Sequence, residues 1–198
     1  MLPPRPTSLA HTIAASAIAP GDTVIDATCG NGHDTLALAR LVGPGGRVIA
    51  IDVQQAAIAH TRRSLAAAGL DDGRATLVHG CHGAAMLGVA PASVAWIMFN
   101  LGYLPGGDHA VTTTTRTTVA ALDAAWAALR PGGVLSVACY PGHHEGAGEA
   151  AAVECWMRAT AAKGAARVAT YQQPFTRSPA PVLWLSSRGN ETSAHAGT

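Results

Sequence analysis

Short apolar runs alternate with stretches of helical periodicity along most of the chain. The runs predict strands over residues 23–27, 47–51, 75–78, 94–99, 134–140, 166–171 and 181–187. The intervening stretches predict helices over residues 8–18, 34–42, 54–68, 112–129 and 148–162. Strands that alternate with helices are typical of βαβ units, so the pattern predicts an α/β fold with a mostly parallel sheet. The continuous apolar character of the first strands indicates that helices cover both sheet faces.

Both ends of the chain depart from this alternation. No helix separates the last two strands, so we expect an antiparallel hairpin at the sheet edge, joined through residues 172–181. At the other end, Thr7 or Ser8 is expected to cap the first helix. Without repeats or a second apolar core, we expect one domain over 1–188. Within this domain, 1–20 form an N-terminal extension and helix, and residues 189–198 follow the domain as a flexible tail.

Composition narrows the class of protein. Of the 198 residues, 48% are hydrophobic and 13% charged, which is typical of a globular domain rather than a disordered chain. The net charge of +1 argues against nonspecific binding of long nucleic acids but leaves a structured RNA possible. The four cysteines lack C-x-x-C spacing, and the chain shows no apolar signal core or membrane-spanning run, so we expect a cytoplasmic protein.

A glycine-rich loop follows the first strand and predicts a nucleoside site. The strand ends at Asp26, and Gly30 and Gly32 let the following backbone approach a ligand closely. Asp52 ends the second strand roughly 20 residues beyond Gly32, where an acidic residue suits the hydroxyls of a ribose. The pattern fits either NAD or S-adenosylmethionine, and the alternative without a ligand is a tight strand–helix turn.

Two residues after the loop favour S-adenosylmethionine over NAD. Thr35 stands where the dinucleotide fingerprint has its third glycine. Asp34, near a helix start, would repel a pyrophosphate but can receive the ammonium group of a methionine. The loop therefore predicts a methyltransferase that uses S-adenosylmethionine.

With these residues in place, the chain resembles class I methyltransferases over about residues 20–187. It is most similar to the MnmM/YtqB group, often labelled rRNA methylases. The matching stretches are 26–35, 52–54, 79–82, 99–108 and 140–143, of which 99–108 is the most specific. Two stretches depart from the group's pattern, namely Pro141 after Tyr140 and the loop 172–179.

This resemblance implies a fold and a reaction. The implied fold is a Rossmann-like, seven-stranded, mostly parallel sheet with helices on both faces and an antiparallel edge strand. The implied reaction is S-adenosylmethionine-dependent conversion of the 5-aminomethyl group of a tRNA wobble uridine to 5-methylaminomethyl. The resemblance also implies where the donor's parts lie. Asn31, His33 and Asp34 line the methionine end, Asp52 and Gln54 the ribose and adenine edge, and Cys81 and His82 the adenine side.

Asn100 is the expected centre of the acceptor site. It follows a buried strand and resembles the Asn of Asn/Asp-Pro-Pro-Tyr motifs, whose side-chain carbonyl can accept the N–H groups of an amine. Tyr103 either packs against the target base or shapes a turn, and His143 is either a proton acceptor or a loop histidine held by backbone. The other expected substrate contacts are Leu101, Gly102, Pro105, Thr112, Arg116 and Arg177.

The sequence leaves alternatives for the kind of site and for the reaction. Six candidate ligands lack the spacing of a zinc site, so no metal is expected; they are Cys29, His79, Cys81, His82, His143 and His144. The resemblance to the MnmM/YtqB group implies the anticodon loop of a tRNA as partner, and a homodimer is also expected. The rivals are a methyltransferase for a small-molecule amine or for rRNA, and a binding module that keeps the donor pocket without catalysis.

Overall fold

A computed structural model of the chain describes residues 3–102, 104, 106, 113–142, 146–173 and 179–189. Within them one sheet is formed by β1 (Thr23–Asp26), β2 (Arg47–Asp52), β3 (Ala75–His79), β4 (Val94–Leu101), β5 (Leu129–Cys139), β6 (Ala166–Gln172) and β7 (Val182–Arg188). The helices are α1 (Pro6–Ala17), α2 (His33–Val42), α3 (Gln55–Ala67), α4 (His82–Met86), α5 (Thr115–Ala128) and α6 (Gly146–Ala162).

The strand order is β3-β2-β1-β4-β5-β7-β6. The first five strands are parallel, whereas β7 runs antiparallel to both β5 and β6. The predicted mostly parallel sheet and its antiparallel hairpin are therefore confirmed. Within the hairpin it is the later strand, β7, that joins the parallel part of the sheet, and β6 forms the edge.

Helices cover both faces of this sheet, as the apolar strands predicted. On one face α1, α2 and α3 bury Ala14, Leu38 and Leu65 against β1, β2 and β4. On the other face α4, α5 and α6 pack Leu122 and Met157, among others, against the same central strands. Strand β4 is buried along its first six residues, Val94–Phe99, because it lies at the middle of the sheet with helices on both sides.

The starts of two helices differ from expectation. Helix α1 begins at Pro6 without a side-chain cap, so the prediction that Thr7 or Ser8 caps it was wrong. Proline suits a first helical position because its fixed φ is already helical and its missing N–H would have no partner there. Helix α5 begins at Thr115 with Thr114 as N-cap, and the Thr114 hydroxyl lies 2.9 Å from that of Thr117. Its expected start at Thr112 lies outside the described residues.

Strand β5 begins five residues earlier than the apolar run predicted. Val94 pairs with Leu129 and Trp96 with Val134, so residues 130–133 bulge out of the ladder. Gly133 makes this bulge possible, since a Cβ there would lie 2.9 Å from two backbone oxygens, those of Arg130 and Val94. The five-residue helix α4 was not predicted, because so short a segment carries no readable period.

The strand order also locates the site. Strand β1 lies between β2 and β4. From β1 the chain continues through β2 and β3 toward one edge of the sheet, and β4 and β5 then extend the sheet from β1 in the opposite direction. Ligands of such sheets bind outside the carboxyl ends of the strands at this reversal. The glycine-rich loop after β1 and Asn100 near the end of β4 both lie at that point.

Candidate functional site

A cavity of about 800 Å³ opens at the carboxyl ends of the parallel strands. Its wall includes eleven residues that the sequence predicted as site residues, namely Gly30, Asn31, His33, Asp34, Asp52, Gln54, Cys81, His82, Asn100, Leu101 and Gly102. The donor and acceptor sets, which come from four different strand ends, therefore share one cavity.

The remaining predicted site residues divide into two groups. Asp26, Gly32 and Arg116 are described but lie outside the cavity wall; Asp26 and Gly32 are buried behind it and Arg116 is exposed on α5. Five other predicted site residues lie outside the described residues, namely Tyr103, Pro105, Thr112, His143 and Arg177.

Asp52 braces the glycine-rich loop from the end of β2. One carboxylate oxygen accepts a hydrogen bond from the Gly30 N–H at 2.9 Å, and the other accepts one from the Gln54 N–H at 2.9 Å. Thr61 of α3 adds a third contact, because its hydroxyl donates to the Gly30 carbonyl at 3.2 Å. The carboxylate thus faces the cavity while holding the loop in place.

Asp26 supports the same loop from inside the core. Its fully buried carboxylate accepts hydrogen bonds from the Thr35 hydroxyl at 2.6 Å and the Thr28 N–H at 3.3 Å. Burial, together with the negative charge of Asp34, raises the pKa of Asp26 to about 7. The side chain therefore joins the loop to the start of α2.

Gly32 is needed at the contact between this loop and α3. Its φ of +81° favours glycine, and a Cβ there would lie 3.0 Å from both Cα and Oγ1 of Thr61. The sequence suggested close approach of backbone to a ligand. In the structure, the close approach at Gly32 is between the loop and a helix.

His82 is a nearly buried residue of the cavity wall. It is 8% exposed, and its ring packs edge to face on that of Phe99, with the ring centroids 5.6 Å apart. Among the described residues, Nε2 has no hydrogen-bond partner. Burial lowers the pKa of His82, so the ring is neutral at neutral pH and can donate or accept one hydrogen bond. Nε2 itself is buried, whereas the neighbouring Cys81 of the same wall is exposed.

Asn100 lies at the centre of a hydrogen-bond network at the other end of the cavity. Its backbone N–H donates to the Thr28 hydroxyl at 2.7 Å. Its side-chain amide nitrogen donates to the Asp34 carboxylate, whose other oxygen contacts Nε2 of His11. Because the nitrogen is held by Asp34, the Asn100 carbonyl oxygen is left as the acceptor for a ligand.

Contacts from α6 hold Gly102 and the described residues at the start of α5. Glu149, which is buried in the first turn of α6, accepts hydrogen bonds from Thr113 at 2.8 Å and Thr118 at 2.6 Å. The Thr113 hydroxyl in turn accepts one from the Gly102 N–H at 3.0 Å. These contacts anchor Gly102 and the start of α5 beside Asn100.

Several residues of the cavity wall were not predicted from the sequence. They are chiefly Thr7 and His11 from α1, Thr28, Thr117 and Tyr140. His11 is 23 residues from Asp34 along the chain, so no local spacing signals their contact. Tyr140 stood within a matching stretch but was given no role; burial and the charge of Asp34 raise the pKa of its hydroxyl.

Two further observations concern other classes of site. Within the part of the chain that the structure describes, no group of three or more His, Cys, Asp or Glu side chains is arranged to hold a metal ion. Among those same residues, no helix has the length and apolar character needed to span a membrane.

Solved structures with this fold define the class. A "putative rRNA-methylase" from Clostridium thermocellum has a TM-score of 0.85 and 35% identity, covering 95% of this chain and 100% of that chain. A "putative methyltransferase" from Streptococcus mutans, solved in complex with SAH, has a TM-score of 0.83 and 29% identity, covering 94% and 99%. The fold is that of the Rossmann-like class I methyltransferases, as predicted.

The family follows from the sequence comparisons. Residues 48–187 match the profile of the family described as "Putative rRNA methylase", and the chain belongs to that family. A relative from Arabidopsis thaliana, "tRNA (mnm(5)s(2)U34)-methyltransferase, chloroplastic", is 42% identical over 77% of this chain. The match covers 58% of that relative's length.

Proposed function

We propose that the chain is an S-adenosylmethionine-dependent N-methyltransferase that converts the 5-aminomethyl group of a tRNA wobble uridine to 5-methylaminomethyl. The observation that carries this proposal is the orientation of Asn100. Its amide nitrogen is held by Asp34, which leaves a carbonyl oxygen to accept the N–H groups of an amine. The name of the Arabidopsis relative and the SAH bound to the Streptococcus neighbour support the substrate and the donor.

The cavity wall offers contacts for each part of the donor. The sulfonium group of S-adenosylmethionine, when bound, supplies the methyl group. Asn31, His33 and Asp34 would contact the methionine part, and Asp52 and Gln54 the ribose and adenine edge. The exposed Cys81 and the ring of His82 would contact the adenine. Asp26 and Gly32 would act indirectly, by holding the loop.

The acceptor end must bind an amine and keep its lone pair directed at the methyl carbon. The Asn100 carbonyl provides the direction, and Leu101 and Gly102 complete the wall beside it. Positioning of this kind supplies a large part of the rate of a bimolecular transfer. Contacts of Tyr103, Pro105, Thr112 and His143 with the substrate remain predictions.

The proposed partner is the anticodon loop of a tRNA. An anticodon loop offers unstacked bases that fit a pocket, and few phosphate contacts are needed to hold it. Arg116 is exposed and flanked by the cavity residues Thr114 and Thr117, which supports it as such a contact; Arg177 remains a prediction. We also propose a cytoplasmic location, in keeping with the four free cysteines, and a homodimer.

Methyl transfer to defined RNA tests the proposal. The purified chain is incubated with S-adenosylmethionine and with tRNA that carries 5-aminomethyluridine at the wobble position, and nucleosides are identified by mass. We expect 5-methylaminomethyluridine from the wild type. We expect Asn100→Ala to lose at least about 100-fold in kcat, the scale of losing transition-state positioning, with affinity for SAH retained.

Two outcomes would contradict the proposal. Methylation of a small free amine with none of the tRNA would favour the small-molecule enzyme, and methylation of ribosomal RNA alone would favour the activity in the family's description. If Asn100→Ala methylated the tRNA at the wild-type rate, the role of Asn100 would be wrong even if the reaction were right.

A further inference from the structure

Helix α1 brings an ionisable side chain to one end of the cavity. His11 and Thr7 both line the wall, and Ala10 and Ala14 of the same helix are buried. The packing of α1 therefore holds His11 at the cavity, where its side chain is 33% exposed. None of the expected site residues comes from this helix, so the sequence assigned His11 no role.

His11 is paired with the carboxylate of Asp34. Nε2 of His11 contacts one oxygen of that carboxylate, and the side-chain amide of Asn100 donates to the other oxygen. A carboxylate can accept about four hydrogen bonds, so Asp34 keeps acceptor sites for a ligand after these two contacts. An imidazolium has two N–H donors, so a charged His11 that gives Nε2–H to Asp34 keeps Nδ1–H for a second acceptor.

The surroundings of His11 favour its charged form. Carboxylates act on it from two elements, Asp34 from α2 and Asp26 from β1, and Tyr140 lies in the same wall after β5. The hydrogen bond to Asp34 raises the pKa of His11, against the opposing effect of burial. At mildly acidic pH the cavity wall therefore contains a cation, His11, directly beside an anion, Asp34.

Few other cations are available along the cavity. The described wall includes the carboxylates of Asp34 and Asp52 but no arginine or lysine. His82 is neutral, because burial lowers its pKa. Of the two remaining wall histidines, His11 and His33, only His11 is ion-paired with Asp34 among the described residues. A negatively charged group of a ligand at this end would therefore meet His11.

The methionine end of S-adenosylmethionine has a matching arrangement of charge. It carries an ammonium and a carboxylate on the same carbon, so its two opposite charges are held side by side. A cation and an anion in contact on the cavity wall can meet both charges at once. Charge-assisted hydrogen bonds of this kind are stronger than neutral ones and fix the orientation of the ligand.

We propose that His11 binds the carboxylate at the methionine end of the donor, while Asp34 binds the ammonium on the same carbon. This inference rests on the donor of the proposed function and is independent of the tRNA acceptor. Nε2–H of His11 stays on Asp34 and Nδ1–H donates to the ligand carboxylate, so no proton changes place. Helix α1 thereby becomes part of the donor site.

Two ligands that differ in one group test this role. SAH carries the carboxylate, and decarboxylated SAH keeps the ammonium and the adenosine but has hydrogen in its place. Calorimetric titration at about pH 6 keeps a histidine of raised pKa charged. We expect the wild type to bind SAH at least about 10-fold more tightly than decarboxylated SAH, the scale of one charged hydrogen bond.

His11→Gln keeps an N–H donor for Asp34 but carries no charge. We expect this variant to lose most of the preference for SAH, with the affinity for decarboxylated SAH within about twofold of the wild type. His79→Gln changes a histidine outside the cavity wall and should keep the full preference. Because the comparison is between two ligands, a general loss of structure cannot produce the expected result.

Several outcomes would overturn the proposal. Equal weakening of both ligands by His11→Gln would show a merely structural role. Tighter binding of decarboxylated SAH would show that His11 competes with the ligand ammonium for Asp34. Loss of the preference in His33→Gln but not in His11→Gln would assign the carboxylate to His33. If the wild type bound neither ligand, the donor of the proposed function would be what fails.

Discussion

Three carboxylates around one loop have three different surroundings. Asp26 is turned into the core and bonds to Thr35, and Asp52 holds the backbone of Gly30 and Gln54. Asp34 bonds the side chains of Asn100 and His11. The sequence could place all three at strand or helix ends from their spacing. It could not tell which way each side chain turns, because that depends on partners elsewhere in the chain.

The buried carboxylate of Asp26 has a measurable consequence for stability. Its pKa rises from 3.8 in the unfolded chain to about 7 in the folded protein, so between those values the folded state holds the extra proton. This group therefore lowers the free energy of unfolding as pH rises from about 4 to about 7, by at most about 1.4 kcal/mol per pH unit. Its contribution is constant above that window.

Asp26→Asn removes the titration while keeping an oxygen for the Thr35 hydroxyl. We expect the free energy of unfolding of this variant, relative to the wild type, to increase across the window from about pH 4 to about pH 7 and then level off. Urea denaturation at a series of pH values measures both curves. Parallel curves would mean that Asp26 titrates alike in the folded and unfolded chains.

At the scale of elements, the local sequence pattern determines the bounds of some helices and strands, whereas packing between distant segments determines others. Helix α2 and strands β1 and β2 match their predicted bounds within a residue or two, because their apolar periods and flanking glycines lie in the segment itself. The bulge that starts β5 early is decided by β4, its partner strand. The role of α1 as a cavity wall depends on its packing on β4, β5 and β7, which no spacing within residues 6–17 encodes.

The contact between the glycine-rich loop and α3 can be tested with a matched pair of glycines. Gly32 and Gly21 both have positive φ, +81° and +92°, but only Gly32 would place a Cβ 3.0 Å from a neighbour, Thr61; Gly21 has nothing within 4 Å. Gly21→Ala should lower the free energy of unfolding by about 1–2 kcal/mol, because alanine is strained at a positive φ. Gly32→Ala should lower the free energy of unfolding by about 1–3 kcal/mol more than Gly21→Ala does, because the added methyl group pushes the glycine-rich loop away from α3.

Thermal or chemical denaturation of both variants gives this difference directly. Gly32→Ala should also weaken SAH binding, since the loop holds part of the cavity wall, whereas Gly21→Ala should not. Equal losses for the two variants would mean that Thr61 yields to the methyl group without cost, and that the loop's position does not depend on this packing.

At the scale of the whole molecule, net charge limits how the proposed tRNA substrate would be bound. A net charge of +1 gives little overall attraction to a polyanion, so a tRNA would be bound by a few phosphate contacts and by a base in the cavity. The sequence supported this through composition alone. Which arginines serve as contacts depends on where the fold puts the cavity. Arg116 lies on α5 between two residues of its wall, and Arg63 lies exposed on α3 away from the wall.

Removing one phosphate contact changes both affinity and its dependence on salt. We expect Arg116→Gln to weaken tRNA binding and to reduce the slope of log K against log salt by about 0.7, the value for one phosphate of a single strand. Arg63→Gln removes the same charge from a position outside the cavity wall and should leave the slope unchanged. Binding titrations at several salt concentrations measure both. Equal changes in the two variants would indicate a general charge effect, and the proposed docking of the anticodon loop beside α5 would then be wrong.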